Sequence, residues 1–439
     1  MRTLLVDIGS TVVKLCEHEP GRGLGAVEIL AREPDLAPGD QVRALIEDRW
    51  AGAGGTGPTG LRICSSANGG VRVGVLGLTR RHCVAAASRA VVASGANVVY
   101  ERLLGADHRA EPVPAVDLLV LVGGVDGADH RYLREALADA KLADFPHDVL
   151  VWAGADAPDI VAGLPVDHVV ANVLDGRLRP AMQGLTDLLH HIYLSDLVDS
   201  KGLRALAGIC DTPIWPTPAV VGLAATRLTT EPIVPAATPF VLVDVGGATT
   251  DVVYCAELRV EHTMRISPGE SIVRQVFTDL GVAGSLPGLR HRLATDPGLF
   301  ELVAAVASDR HRALYQDICE GVDDALTPST AFLACLFLAL RRMTDGAGPH
   351  LFEPGRAAGF VITGGAWTGT PEPAIRQVIS AACGLPDDRW SLHVDRAYEL
   401  WAHGLLAVPA GPRPDLADRH GRAAAQRRTA RARAGLRRP

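Results

Sequence analysis

The chain opens on an apolar run at residues 2–6, breaks at the polar stretch beginning Asp7, and resumes apolar character at 12–16. Short apolar runs bounded by glycine and polar residues predict strands. A Gly/Pro-rich loop at 51–60 separates this pair from two further runs, 61–65 and 71–76, which read as strands around the turn Asn68-Gly69-Gly70. The alanine-rich stretch 79–94 has helical spacing and starts on Thr79, whose hydroxyl suits a helix cap. The rhythm then changes. Continuous apolar runs at 117–122, 148–152 and 168–173 alternate with helical stretches such as 131–142. That alternation predicts a small parallel α/β unit, at about 115–175, inserted into the N-terminal half. A long helix at 185–198 follows it.

In the second half, prolines at 213–218 precede a helix at 219–228. A proline-containing connector at 231–239 then leads to a strand at 240–243. An apolar helix at 330–343, a strand at 359–363 ending in Gly-Gly, and a helix at 372–383 complete the pattern. The organisation expected is an N-terminal lobe at 1–230 carrying the inserted unit, a hinge in the connector, and a C-terminal lobe at 231–410. A basic tail at 411–439, alternating Arg and Ala, has too little apolar content to fold by itself.

Length and composition agree with two lobes, since 439 residues exceed the usual size of one undivided core. Charge sharpens the picture. The net charge is −7, but from Pro412 onward nine arginines face only Asp415 and Asp418, which leaves the remainder at −14. An acidic body does not suit nucleic acid; only the arginine tail fits nucleic acid or an acidic partner. No apolar run spans a bilayer and no signal peptide is expected, so the chain reads as cytoplasmic with no membrane partner. The eight cysteines are scattered without a C-x-x-C pair, as expected of reduced, buried thiols. Cys64-Ser65-Ser66 has no His/Asp arrangement that would make it a nucleophile.

Candidate chemistry lies in a repeat. Asp7-Ile8-Gly9-Ser10-Thr11 joins two strands in a turn whose backbone N–H groups can approach phosphate oxygens. Asp7 can hold hydrated Mg²⁺ by its carboxylate, and Lys14 offers a cation unless the next strand turns it away. The pattern recurs 237 residues later as Asp244-Val245-Gly246-Gly247-Ala248-Thr249-Thr250. Two copies predict two like-built lobes, each presenting one loop to a single nucleotide. A third segment, Gly359-Phe360-Val361-Ile362-Thr363-Gly364-Gly365-Ala366-Trp367, is a strand ending in Gly-Gly; it resembles the adenosine-binding loop of actin, heat-shock chaperones and sugar kinases. Neither a G-x-x-x-x-G-K-[ST] loop nor a G-x-G-x-x-G helix start follows the first strand. Gly123-Gly124-Val125-Asp126-Gly127, in the inserted unit, reads as a strand-to-helix turn.

Together with Cys64-Ser-Ser-Ala-Asn-Gly-Gly-Val-Arg and Pro216-Thr-Pro-Ala-Val, these phrases resemble the glutamate mutase L (GlmL, MutL) family, in order over roughly 1–405. The resemblance implies a two-lobed, actin-like (ribonuclease H-like) ATPase fold with an inserted α/β unit. It also implies ATP and Mg²⁺ as cofactors and a reactivating role toward the subunits of an adenosylcobalamin-dependent mutase such as glutamate (methylaspartate) mutase. Carried over, Asp7, Gly9, Ser10 and Thr11 bind phosphate and metal. Asp244, Gly246, Gly247, Thr249 and Thr250 form the opposing loop, with Asp244 placing Mg²⁺ or the attacking water, and Gly364 and Gly365 receive adenosine. Two departures imply slow hydrolysis. Ser267-Pro268-Gly269-Glu270-Ser271 replaces an acidic Glu-Gly-Asp-Leu-Gly-type segment, and Trp215-Pro216 stands where chaperone ATPases carry glutamate. A small-molecule kinase, a hydantoinase-like ATPase and an ATP-dependent filament protein share these loops and remain alternatives.

Overall fold

A computed structural model of the chain describes residues 2–9, 12–33, 35–52, 60–65, 71–94, 96–105, 113–200, 202–247, 249–260, 271–277, 279–283, 286–307, 313, 316–318, 320, 326–345 and 351–408. These fall in two compact units, one built from Met1–Gly69 with Ile209–Ala410, the other starting at Gly70 and closing at Gly208. Ser10, Thr11, the Asn68-Gly69-Gly70 turn, the 267–270 segment and the basic tail lie outside the described residues.

The first sheet starts with β1 (Thr3–Ile8) and β2 (Val12–Glu19), antiparallel with Asp7 opposite Lys14. Strands β3 (Gly23–Leu24) and β4 (Glu28–Ala31) extend it along β2, and β5 (Gly60–Ser65) lies parallel to β1 on the other side. Leu4, Leu5, Val6 and Ile8 are all fully buried. Consecutive buried positions mean that both faces of β1 are covered, which is why its sequence is apolar throughout instead of alternating.

The inserted unit is a wholly parallel sheet of β6 (Arg72–Gly77), β7 (Asn97–Leu103), β8 (Val116–Val122), β9 (His147–Trp152) and β10 (His168–Val169), in the order β10-β9-β8-β6-β7. Leu119, Leu121, Leu150 and Trp152 pack with Leu133 and Leu137 of the Arg131–Asp139 helix. The unit is larger than the 115–175 span read from the sequence, because β6 belongs to it. That strand does not pair with β5 across the turn; it is central, between β7 and β8. Its glycines allow this: a Cβ on Gly74 would lie 2.3 Å from the Tyr100 ring, and one on Gly77 2.7 Å from Val122.

Strand β11 (Trp215–Pro216) completes the first sheet in the order β11-β5-β1-β2-β3. The last sheet repeats that plan with β12 (Phe240–Val245), β13 (Thr250–Cys255), β14 (Ile272–Phe277), β15 (Gly359–Thr363) and β16 (Ser391–Val394), in the order β14-β13-β12-β15-β16. In each, three antiparallel strands are followed by two parallel ones on the far side of the first. The chain therefore has the actin-like architecture, two ribonuclease H-like sheets, here with an inserted parallel sheet. Among the described residues no helix is long and apolar enough to cross a membrane, and the seven described cysteines are buried and free.

The helix Leu400–Ala407 follows the last sheet in the chain but packs with the first. Trp401, Ala402 and Leu405 share a core with Leu5, Cys16, Cys64 and Val220. Arg62 of β5 donates to the carbonyls of Leu405 and Leu406, both at 3.1 Å, and so satisfies the helix C-terminus. This helix crosses Thr217–Leu228 at Gly404, where a Cβ would come within 1.9 Å of the Val220 carbonyl oxygen. Backbone cannot yield as a side chain can. Gly404→Ala is expected to destabilise the protein by about 1–3 kcal/mol, read by thermal denaturation; an unchanged midpoint would show that the crossing relaxes freely.

Candidate functional site

The two repeated loops fold alike. Gly9 N donates to Val12 O at 2.9 Å in one, and Gly246 N donates to Thr249 O at 2.8 Å in the other. A Cβ at Gly9 would sit 2.8 Å from Val12 O, and one at Gly246 3.3 Å from Thr249 O. Both turns are tightest where the sequence places its first glycine. The second is braced further: Gly246 O and Gly247 O accept from Val282 N (3.1 Å) and Ala283 N (2.8 Å).

Asp7 is the last but one residue of β1 and is 2% exposed. The antiparallel register brings Lys14 across from it, and Lys14 Nζ lies 3.0 Å from Asp7 Oδ2. The lysine therefore points into the site, not away from it. Thr217 Oγ1, at the start of its helix, donates to Asp7 Oδ1 at 2.6 Å, and Cys64 Sγ lies 3.6 Å from the same oxygen. Burial opposes the charge on Lys14, but Asp7 and then Asp244 outweigh it and raise its pKa. Lys14 is thus held protonated by carboxylates from both sheets. Burial, reinforced by Asp7, pushes the Cys64 thiol well above its ordinary range, so it stays protonated.

Asp244 occupies the matching place on β12, but its cross-strand partner is Asp251. Asp251 in turn is held by Arg274, whose Nε donates to Asp251 Oδ1 at 2.8 Å. Both side chains of that pair are buried. Burial first, then Asp251 and Asp7, raise the Asp244 carboxyl to about 7, with Lys14 and Arg274 opposing. Gly364, at φ +84°, packs directly on it: a Cβ there would fall 2.3 Å from Asp244 Oδ1. Only glycine tolerates both that backbone conformation and that approach. Gly365 stands in open space, where a Cβ would meet no atom within 4 Å.

Asp7, Lys14, Asp244 and Gly364 are brought together, with Gly9 and Gly246 forming the adjoining turns. Thr250 is not: it is fully buried and its hydroxyl donates inward to Leu280 O at 2.9 Å. Thr249 supplies the carbonyl that closes its turn. Thr217, Asp251, Arg274 and Tyr398 were missed from the sequence. Extending the 237-residue repeat as far as Lys14 would have found Asp251. Thr217 stood in the Pro216-Thr-Pro-Ala-Val phrase, but its reach to Asp7 spans 210 positions. Tyr398 lies at φ 55° with its ring centroid 5.6 Å from Lys14 Nζ, and it stacks on Trp367 at 5.4 Å and 24°.

A family model described as MutL protein matches residues 3–417. The chain belongs to the MutL (glutamate mutase L) family. Within MutL, Protein MutL of Clostridium tetanomorphum is 28% identical over 275 residues, 57% of this chain and 56% of that protein, so the alignment spans just over half of the relative. Among solved structures, a diol dehydratase-reactivating factor in nucleotide-free form matches with TM-score 0.36 and 9% identity, over 92% of this chain and 99% of that one. Component A of (R)-2-hydroxyglutaryl-CoA dehydratase from Acidaminococcus fermentans matches with TM-score 0.33 and 12% identity, over 93% and 95%. Superpositions this loose carry no weight for function.

The raised Asp244 has a consequence for stability. In the unfolded chain it ionises near pH 4; in the folded chain it keeps its proton to about 7. Its contribution is whole below pH 4 and is lost as pH rises through 7, a difference on the order of 2–4 kcal/mol. Asp244→Asn mimics the protonated acid. It is expected to melt like the parent below pH 4, where both are neutral in either state, and several degrees higher at pH 8. Equal midpoints at pH 8 would contradict the burial of an ionising Asp244.

Proposed function

We propose that the chain binds Mg-ATP between its two loop-bearing sheets and uses slow hydrolysis to reactivate an adenosylcobalamin-dependent mutase. The observation that carries the nucleotide reading is Lys14: one buried ammonium under the influence of both Asp7 and Asp244, beside two like-built glycine turns. The residues present fit the ligand. Gly364 leaves no room for a Cβ beside Asp244. Trp367 Nε1 and Thr370 Oγ1, following the Gly-Gly turn, are buried with no hydrogen-bond partner among the described residues. Asp7 and Asp244 are hard oxygen donors of the kind that hold Mg²⁺ through its waters.

In this reading Lys14 and the N–H groups of the two turns hold the β- and γ-phosphates, and Gly364 and Gly365 admit the nucleoside. Mg²⁺, when bound, neutralises charge on the phosphates. Thr217 orients Asp7 by its hydrogen bond, and Arg274, held against Asp251, offsets part of the repulsion that Asp251 exerts on Asp244. Positioning and electrostatics then supply the rate enhancement. Movement of two lobes on binding and hydrolysis would act on the mutase. The mutase itself rests on family membership.

The test is phosphate release from Mg-ATP by the purified chain, with and without an inactivated adenosylcobalamin-dependent mutase, alongside recovery of mutase activity. Slow release that rises with the mutase, with activity restored, is the expected outcome. Lys14→Met should weaken ATP binding at least tenfold, in keeping with loss of a charge-assisted contact. Phosphate transfer to a small acceptor, or ATP-dependent light scattering, would replace this reading with a kinase or a filament protein.

A further inference from the structure

We propose that Tyr398 is a positioning residue that keeps the nucleoside loop in register with Lys14, so that the site distinguishes ATP from a bare triphosphate. This rests on the ATP reading above. Tyr398 and Leu178 are the non-glycine residues with positive φ among those described. A bulky residue in the left-handed region is held there by its surroundings, and such strain concentrates at functional sites. The surroundings of Tyr398 are fixed by Asp395, 2% exposed, whose carboxylate accepts from Thr363 Oγ1 (2.8 Å), Glu399 N (2.9 Å) and Leu400 N (3.2 Å). Thr363 ends β15, the strand that delivers Gly364. One buried carboxylate thus ties the Tyr398 turn to the root of the nucleoside loop.

The tyrosine then joins the two functional halves. Its ring lies 5.6 Å from Lys14 Nζ, on the phosphate side. The same ring stacks on Trp367, on the nucleoside loop. Its hydroxyl bonds Thr368 Oγ1, and Thr368 donates to Gly365 O at 3.0 Å, so the chain of bonds ends on the Gly-Gly turn. The braced loop carries two buried donors that have no partner among the described residues, Trp367 Nε1 and Thr370 Oγ1. Trp367 is 7% exposed, and its indole N–H has no acceptor among the described residues, so it is free to take one from a ligand.

Removing the ring should not displace Lys14, which Asp7 holds at 3.0 Å. It should free the nucleoside loop. The experiment is calorimetric titration of the full chain with Mg-ATP and with Mg-tripolyphosphate, for the parent, Tyr398→Gly and Tyr398→Phe. Glycine adopts φ 55° without strain, so Tyr398→Gly tests the ring and not the backbone. The parent should bind ATP more tightly than tripolyphosphate. Tyr398→Gly should lose about tenfold in ATP affinity, a coupling of ordinary size, with tripolyphosphate affinity kept within about twofold of the parent. Tyr398→Phe keeps the stack and should stay within about threefold for both ligands. Unchanged ATP affinity in Tyr398→Gly, or ATP and tripolyphosphate affinities falling together, overturns the role given to Tyr398 while leaving the ATP reading intact. A parent chain that binds neither ligand overturns the ATP reading and this inference with it.

Discussion

One buried ammonium organises the site. Lys14 sits against Asp7 in its own sheet and in the field of Asp244 from the other. Without it, two carboxylates delivered by separate sheets would face each other in a space with little water, and like charges so placed do not both ionise. Much of the nearby sequence follows from this need. Glycine at 364 lets β15 lie against Asp244, Thr217 fixes the oxygen of Asp7 that Lys14 leaves free, and Arg274 takes up Asp251.

The two loops share a closing hydrogen bond and a cross-strand register but differ in charge. At the position across from the aspartate, the first has Lys14 and the second Asp251. This gives the site a direction. The first loop pairs its aspartate with a cation; the second sets Asp244 beside Asp251, with Arg274 against the latter. Under the proposed Mg-ATP reading this asymmetry would tell one end of a triphosphate from the other; the raised Asp244, at about 7, is the cost of concentrating acid on one side.

Both loops were legible in the sequence because each is local: strand, aspartate, glycine and strand lie within a dozen residues, and the repeat reinforces them. The third loop was legible for the same reason. What could not be read depended on pairing between distant segments. The direction of Lys14 follows from the β1–β2 register, fixed by the span of the Gly9 turn. Thr217 reaches Asp7 only because β11 pairs with β5. Thr250 matched the motif, but its hydroxyl turns to the Leu280 carbonyl. Residues 71–76 looked like the second strand of a hairpin, since a local pattern carries no sign of which sheet a strand joins. Tyr398 carries no sequence signal at all, because left-handed backbone at tyrosine is imposed by Asp395 and not by its own preference.

The most direct measurement is the position of a metal and nucleotide in crystals of the full chain grown with Mn²⁺ and a non-hydrolysable ATP analogue. Anomalous scattering should place Mn²⁺ by the carboxylates of Asp7 and Asp244, with the phosphates against Lys14 and the turns at Gly9 and Gly246. Nucleotide bound elsewhere, with the Lys14–Asp7 pair and Asp244 left untouched, would contradict the joint role assigned to the two loops.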